Sequence, residues 1–140
     1  MPRRCFVDTN ILVYAHDRGA GARHEAAKAL VEQLWHDRTG VISTQVLQEL
    51  YVNVRRRAAN PLALDEVRPL LEDYLRWKVV VNDSQSVLRA LSLEERYRMS
   101  FWDALVVDAA VRAGCEVLYS EDLSSGQVYG QTRVVNPFLP

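Results

Sequence analysis

Five short, largely apolar runs alternate with longer amphipathic stretches along the chain, and this alternation constrains the fold more than any other feature. The runs are Cys5-Phe6-Val7, Val41-Ile42-Ser43, Val79-Val80-Val81, Val117-Leu118-Tyr119 and Arg133-Val134-Val135. Between the first two, Thr9-Asn10 can open a helix through Ala15, and Asp17-Arg18-Gly19-Ala20-Gly21 then breaks the chain. His24 to Asp37 follows as a helix with Ala27, Leu30, Val31 and Leu34 on its buried stripe. Ser43 or Thr44 can cap a helix from Gln45 to about Ala58, ahead of Asn60-Pro61. Leu64 to Trp77 reads as helical, with Pro69 implying a kink or a late start. Asn82, Asp83 and Ser84 are candidate caps for a helix to about Arg98, and Ser100 for another from Phe101 to Ala113, closed by Gly114. Short apolar strands separated by helices indicate a parallel sheet covered on both faces. The expected fold is α/β, a three-layer α/β/α sandwich with a short central parallel sheet.

A length of 140 residues with 49% hydrophobic content suits one domain over residues 1–140 and excludes disordered or fibrous classes. Seventeen basic and eighteen acidic side chains leave a formal charge of −1, which argues against a strongly basic nucleic-acid binder. Cys5 and Cys115 form neither a C-x-x-C pair nor a zinc pattern with His16, His24 and His36, and read as small buried thiols of a reduced protein. No apolar run approaches the ~20 residues a membrane span needs. Arg3 and Arg4 meet Asp8 too soon for a signal-peptide core, so a cytoplasmic location is expected.

Ligands of open α/β sheets collect outside the carboxyl ends of the strands. Asp8 ends the first strand there, and Asp122 follows the fourth. Glu49 and Asp103 lie on helices that start from the same edge, Glu49 on a half-polar face shared with Gln45 and Asn53. Each acid has a plainer use. Asp8 can cap a helix, Ser100-x-x-Asp103 approximates a capping box, and Glu121 beside Asp122 leaves open which of the two points inward. Together, however, four carboxylates would repel one another unless a cation offset them. Oxygen donors without a His or Cys set favour Mg²⁺ or Mn²⁺, a combination suited to hydrolysis of a phosphodiester.

The blocks Phe6-Val7-Asp8-Thr9-Asn10-Ile11-Leu12-Val13-Tyr14-Ala15, Ser43-Thr44-Gln45-Val46-Leu47-Gln48-Glu49-Leu50, Phe101-Trp102-Asp103-Ala104-Leu105-Val106 and Tyr119-Ser120-Glu121-Asp122-Leu123 span nearly the whole chain. In this order they resemble the PIN-domain nucleases, specifically the VapC-like toxins of bacterial toxin–antitoxin pairs. The resemblance implies a PIN-like α/β/α fold and Mg²⁺- or Mn²⁺-dependent endonucleolytic cleavage of RNA, with Asp8, Glu49, Asp103 and Asp122 as catalytic and metal-site carboxylates. It also implies supporting roles for Thr9, Asn10 and Ser120, a cognate antitoxin protein as partner, and a homodimer. Asp108 falls outside the quartet and is expected on the helix surface.

Among basic residues, Arg56 follows Glu49 by two turns and is the candidate for RNA contact, although Arg55-Arg56-Arg57 also complements a helix C-terminus. Trp77 and Trp102 read as core. Leu64, Val67, Leu70, Leu71, Tyr74 and Leu75 form a stripe wide enough for core and partner contacts. Two rival readings differ in class. A haloacid-dehalogenase-like phosphatase would need a second acid where Asn10 stands. A non-catalytic PIN-like binding module would carry a degenerate site.

Overall fold

The structure is a computed structural model that describes residues 3–140; Met1 and Pro2, part of the N-terminal stretch read above, lie outside the described residues. Its strands are β1 (Cys5–Val7), β2 (Gly40–Ser43), β3 (Lys78–Val80), β4 (Val117–Tyr119), β5 (Val128–Tyr129) and β6 (Thr132–Val135). Its helices are α1 (Thr9–His16), α2 (Ala22–Asp37), α3 (Thr44–Arg56), α4 (Leu64–Tyr74), α5 (Ser84–Tyr97) and α6 (Phe101–Arg112), with a 3₁₀ turn at Arg18–Ala20. The six strands form one sheet in the order β3-β2-β1-β4-β6-β5, parallel except for the β5–β6 hairpin. Helices cover the sheet as the alternation requires, giving the α/β sandwich expected from the sequence.

Local chemistry sets the element boundaries. Ser43 caps α3 by accepting from the Val46 N–H, and Asp83 alone of its three candidates caps α5, in a reciprocal pair with Ser86. Gly114, at φ +71, follows α6 in the left-handed region that ends helices. Pro69 does not delay α4, which starts at Leu64 with the proline inside it. The α4 stripe divides between uses: Val67 and Tyr74 are buried, while Leu64 and Leu75 stay exposed.

The core is continuous through Phe6, Val7, Ile11, Leu12, Ile42, Leu50 and Leu118. Beneath one edge of it Trp35, Tyr74 and Trp77 pack ring to ring, with centroids of Tyr74 and Trp77 5.1 Å apart. Gly40 is required here, since a Cβ at that position would lie 2.5 Å from carbons of the Trp77 indole.

Two placements differ from expectation on α6. Asp108 is not on the surface but 4% exposed, accepting from Arg89 Nε at 2.8 Å and Arg112 Nε at 3.0 Å. The helix is apolar on nearly every side and is buried from Ala104 to Ala110, which carries Asp108 inward with it. Two arginines make that burial tolerable. Trp102, read as core, is instead 62% exposed. No helix among the described residues is long and apolar enough to cross a membrane.

Candidate active site

The chain leaves β1 toward β2 on one side of the sheet and reaches β4 on the other, so β1 and β4 adjoin at a topological switch point. Val7 pairs with Tyr119 there, which sets Asp8 beside Ser120 as the two strands end. The Asp8 N–H donates to the Tyr119 carbonyl at 2.9 Å, fixing the turn. Asp8 also caps α1, its Oδ1 accepting from the Thr9 N–H at 2.8 Å. One carboxylate thus both caps the helix and lines the candidate site.

A small cavity of about 150 Å³ opens at this edge, lined by Asp8, Thr9, Asn10, Gln45, Glu49, Asn53, Trp102, Asp103, Val106 and Asp122. All four acids singled out in the sequence meet in its wall. Around them lies a lattice of neutral donors. Ser120 Oγ donates to Asp8 Oδ2 at 2.7 Å, Thr9 Oγ1 to Glu49 Oε1 at 2.8 Å, and Asn10 Nδ2 to Asp122 Oδ2 at 3.0 Å. Ser120 Oγ in turn accepts the Asp122 N–H at 3.2 Å. Thr9, Asn10 and Ser120 therefore each touch at least one of the acids.

The neighbouring loop separates Glu121 from Asp122. Glu121 turns away to accept from Tyr14 Oη at 2.9 Å and Arg23 Nε at 2.6 Å, leaving Asp122 in the cavity wall. Asn10 Oδ1 accepts the Glu121 N–H at 3.3 Å, so its amide clamps both ends of this pair of acids. A side chain committed in this way does not replace the second acid of an aspartyl-phosphate enzyme. For Asp103, the capping alternative is met by Ser100, whose hydroxyl accepts the Asp103 N–H at 3.1 Å. Arg56 does not join the wall; it is exposed near the end of α3, beyond Asn53.

Electrostatically the site is unbalanced. No Lys, Arg or His lines the cavity, and none of the four acids forms an ion pair among the described residues. Asp8, 6% exposed, is pushed up to about 6, chiefly by burial and further by Glu49 and Asp122, against the hydrogen bonds from Ser120 and Thr9. Burial also raises Asp103, with Asp122 adding to the effect while the Ser100 hydroxyl opposes it.

This donor set fits a hard divalent cation. It offers carboxylate, amide and hydroxyl oxygens and an excess of negative charge, with no soft or imidazole ligand. Among the described residues, no three Asp, Glu, His or Cys side chains form a tight cluster able to enclose an ion unaided. The arrangement suits Mg²⁺ or Mn²⁺ retaining several waters better than an ion caged wholly by protein.

Gln45, Asn53, Trp102 and Val106 complete the wall without a role assigned from the sequence, and the first and third are the most informative. Gln45 is 5% exposed, donates from Nε2 to the Trp102 carbonyl at 3.2 Å, and leaves its Oε1 without a partner. Its position one turn before Glu49 on the same helix face was the available signal. Trp102 offered no such signal, because its i+3 and i+4 neighbours Leu105 and Val106 are both core residues.

The profile of the PIN domain matches residues 5–129. No curated protein matches the chain in sequence. Among solved structures, VapC20 of Mycobacterium tuberculosis, described as a sarcin–ricin-loop-cleaving toxin, is similar at 21% identity and TM-score 0.63, covering 84% of this chain and 89% of that one. A toxin–antitoxin complex from Klebsiella pneumoniae is similar at 20% identity and TM-score 0.68, over 96% of this chain and 98% of its own. A DNA-bound VapBC from Salmonella typhimurium gives 16% identity and TM-score 0.64, over 95% and 97%. At these identities the likeness is one of fold.

Proposed function

The chain belongs to the PIN-domain family, and from that premise we propose that it is a Mg²⁺- or Mn²⁺-dependent endoribonuclease, the toxin of a toxin–antitoxin pair. The observation that carries the reading is the convergence of Asp8, Glu49, Asp103 and Asp122 on one cavity at the sheet's switch point without any basic partner. Asp8 is buried and Glu49 and Asp103 are part-buried, with Asp122 exposed at the rim, and an acidic wall without a basic partner is the setting a divalent cation would neutralise.

In this reading Asp8, Glu49, Asp103 and Asp122 hold the cation. When bound, it supplies charge neutralisation at the phosphodiester and lowers the pKa of water. The protein's own groups do the positioning. Ser120 fixes Asp8, Thr9 fixes Glu49, and Asn10 fixes Asp122, so three of the four acids are oriented before substrate arrives. The net reaction adds a water oxygen to phosphorus and breaks one P–O bond to ribose, whose oxygen leaves carrying a proton. The near-neutral chain gives RNA little general electrostatic attraction, and Arg56 would contribute from outside the cavity.

The similar toxin–antitoxin complexes support a cognate antitoxin as partner, and the proposal includes a homodimer and a cytoplasmic location. Incubation of mixed cellular RNA with the purified chain or an Asp8→Asn variant, in Mn²⁺ or in EDTA, tests the reading. Cleavage is expected only from the parent and only with metal. Metal-independent cleavage, or equal activity in the variant, contradicts it; an inert parent that still binds a partner protein favours the non-catalytic module.

A further inference from the structure

We propose that Trp102 is the base-stacking platform of this site, holding an unpaired RNA base beside the phosphate addressed by the carboxylates. The inference rests on the ribonuclease reading and adds to it a substrate-positioning residue.

The three tryptophans occupy different settings. Trp77 is buried and Trp35 half-buried, and both belong to the aromatic cluster around Tyr74. Trp102 is 62% exposed and lines the same cavity as the acids, one residue before Asp103. Its backbone is firmly held. Ser100 caps the helix it opens, and Gln45 Nε2 grips its carbonyl at 3.2 Å. Phe101 packs edge-on against the indole with centroids 5.3 Å apart. An indole on a rigid support loses little freedom when a base settles on its face.

The cavity's charge favours such a platform. With no Lys, Arg or His in its wall, the site cannot draw affinity from phosphate neutralisation by the protein. Stacking on an aromatic face supplies affinity without charge and without strong sequence preference. A duplex hides its base faces, so the platform discriminates against paired RNA.

The test uses the full chain with Ca²⁺ in place of Mn²⁺, a short single-stranded RNA of mixed sequence, and the same RNA annealed to its complement. Binding is followed by intrinsic tryptophan emission and, independently, by anisotropy of a labelled RNA. The single strand is expected to quench the parent and the duplex to bind more weakly with little quenching. Trp102→Phe should lose the quench yet keep affinity within about fivefold, while Trp102→Ala should bind about 10–100-fold more weakly. With Mn²⁺, Trp102→Ala should raise KM by a similar factor and alter kcat far less. Circular dichroism and thermal melting, expected to be unchanged at so exposed a position, separate this from misfolding. An RNA-cleaving parent whose Trp102→Ala variant keeps its KM and affinity overturns this inference alone. So does a variant that loses only a partner protein. A parent that neither binds nor cleaves RNA overturns the ribonuclease reading, and the stacking inference with it.

Discussion

Ser120 donates its hydroxyl to Asp8 Oδ2 at 2.7 Å, across the seam where two parallel strands end together. The same oxygen accepts the Asp122 N–H at 3.2 Å, so one buried hydroxyl links the first and the last acids of the site. Its bond to Asp8 favours the ionised carboxylate against the burial that opposes it. Replacing Ser120 with Ala should therefore weaken cation binding and cleavage by about 10–100-fold, the range for groups that orient metal ligands. The acid limb of the pH–rate profile should also move to higher pH. A profile and rate unchanged in Ser120→Ala would deny the residue its positioning role.

Asp8 also makes stability depend on pH in the metal-free protein. Its folded pKa of about 6 lies above the ordinary 3.8, so folding favours the protonated form. That contribution is complete below about pH 4 and is lost as pH rises through 6, amounting at most to about 3 kcal/mol. In EDTA at pH 8, Asp8→Asn should consequently melt higher than the parent, and the gap should close as pH falls toward 4. His16, held down to about 4 mainly by burial, acts in the opposite sense in both proteins, so the difference between their melting curves carries the test. A gap independent of pH would contradict the environment described for Asp8.

Glu121 and Asp122 are adjacent in sequence but differently engaged, and single amide substitutions should separate them. Asp122→Asn removes a cavity carboxylate and should lower RNA cleavage by about 100-fold or more, as losses of an active-site electrostatic group do. Glu121→Gln loosens an exposed contact with Arg23 and should leave the rate within a few-fold. The reverse order would place the wrong acid in the site.

Much of this was legible in the sequence, and the exceptions have physical causes. Asp8 could be placed because a three-residue apolar strand followed by a capping residue has few other meanings. The β5–β6 hairpin was only half visible, since Val128–Tyr129 is too short to alternate and owes its pairing to β6. On α6 the hydrophobic pattern runs nearly all round the helix, so it gave no face from which to orient Trp102 or Asp108. Trp102 projects where the helix begins at the cavity rim. Asp108 is drawn inward, where Arg89 and Arg112 reach it from α5 and from the next turn of α6.

The Asp108 cluster predicts a stability effect separable from activity. Asp108→Ala would remove the buried acceptor shared by two partly exposed arginines that keep other partners, and should destabilise the fold by about 1–2 kcal/mol in urea unfolding. Cleavage per folded molecule should be unaffected, because Asp108 lies outside the cavity wall. A loss of activity at unchanged stability would give Asp108 a role absent from this account.

Asp8, Glu49, Asp103 and Asp122, gathered in one cavity wall with no basic partner, are expected to hold a divalent cation. Titration of the metal-free chain with Mn²⁺, followed by loss of the free-ion electron paramagnetic resonance signal, measures this without reference to any substrate. The parent should deplete the signal, and Asp8→Asn and Asp103→Asn should each weaken binding by about tenfold or more. A parent that leaves the free Mn²⁺ signal intact, or variants that bind the ion as tightly as the parent, would contradict the account.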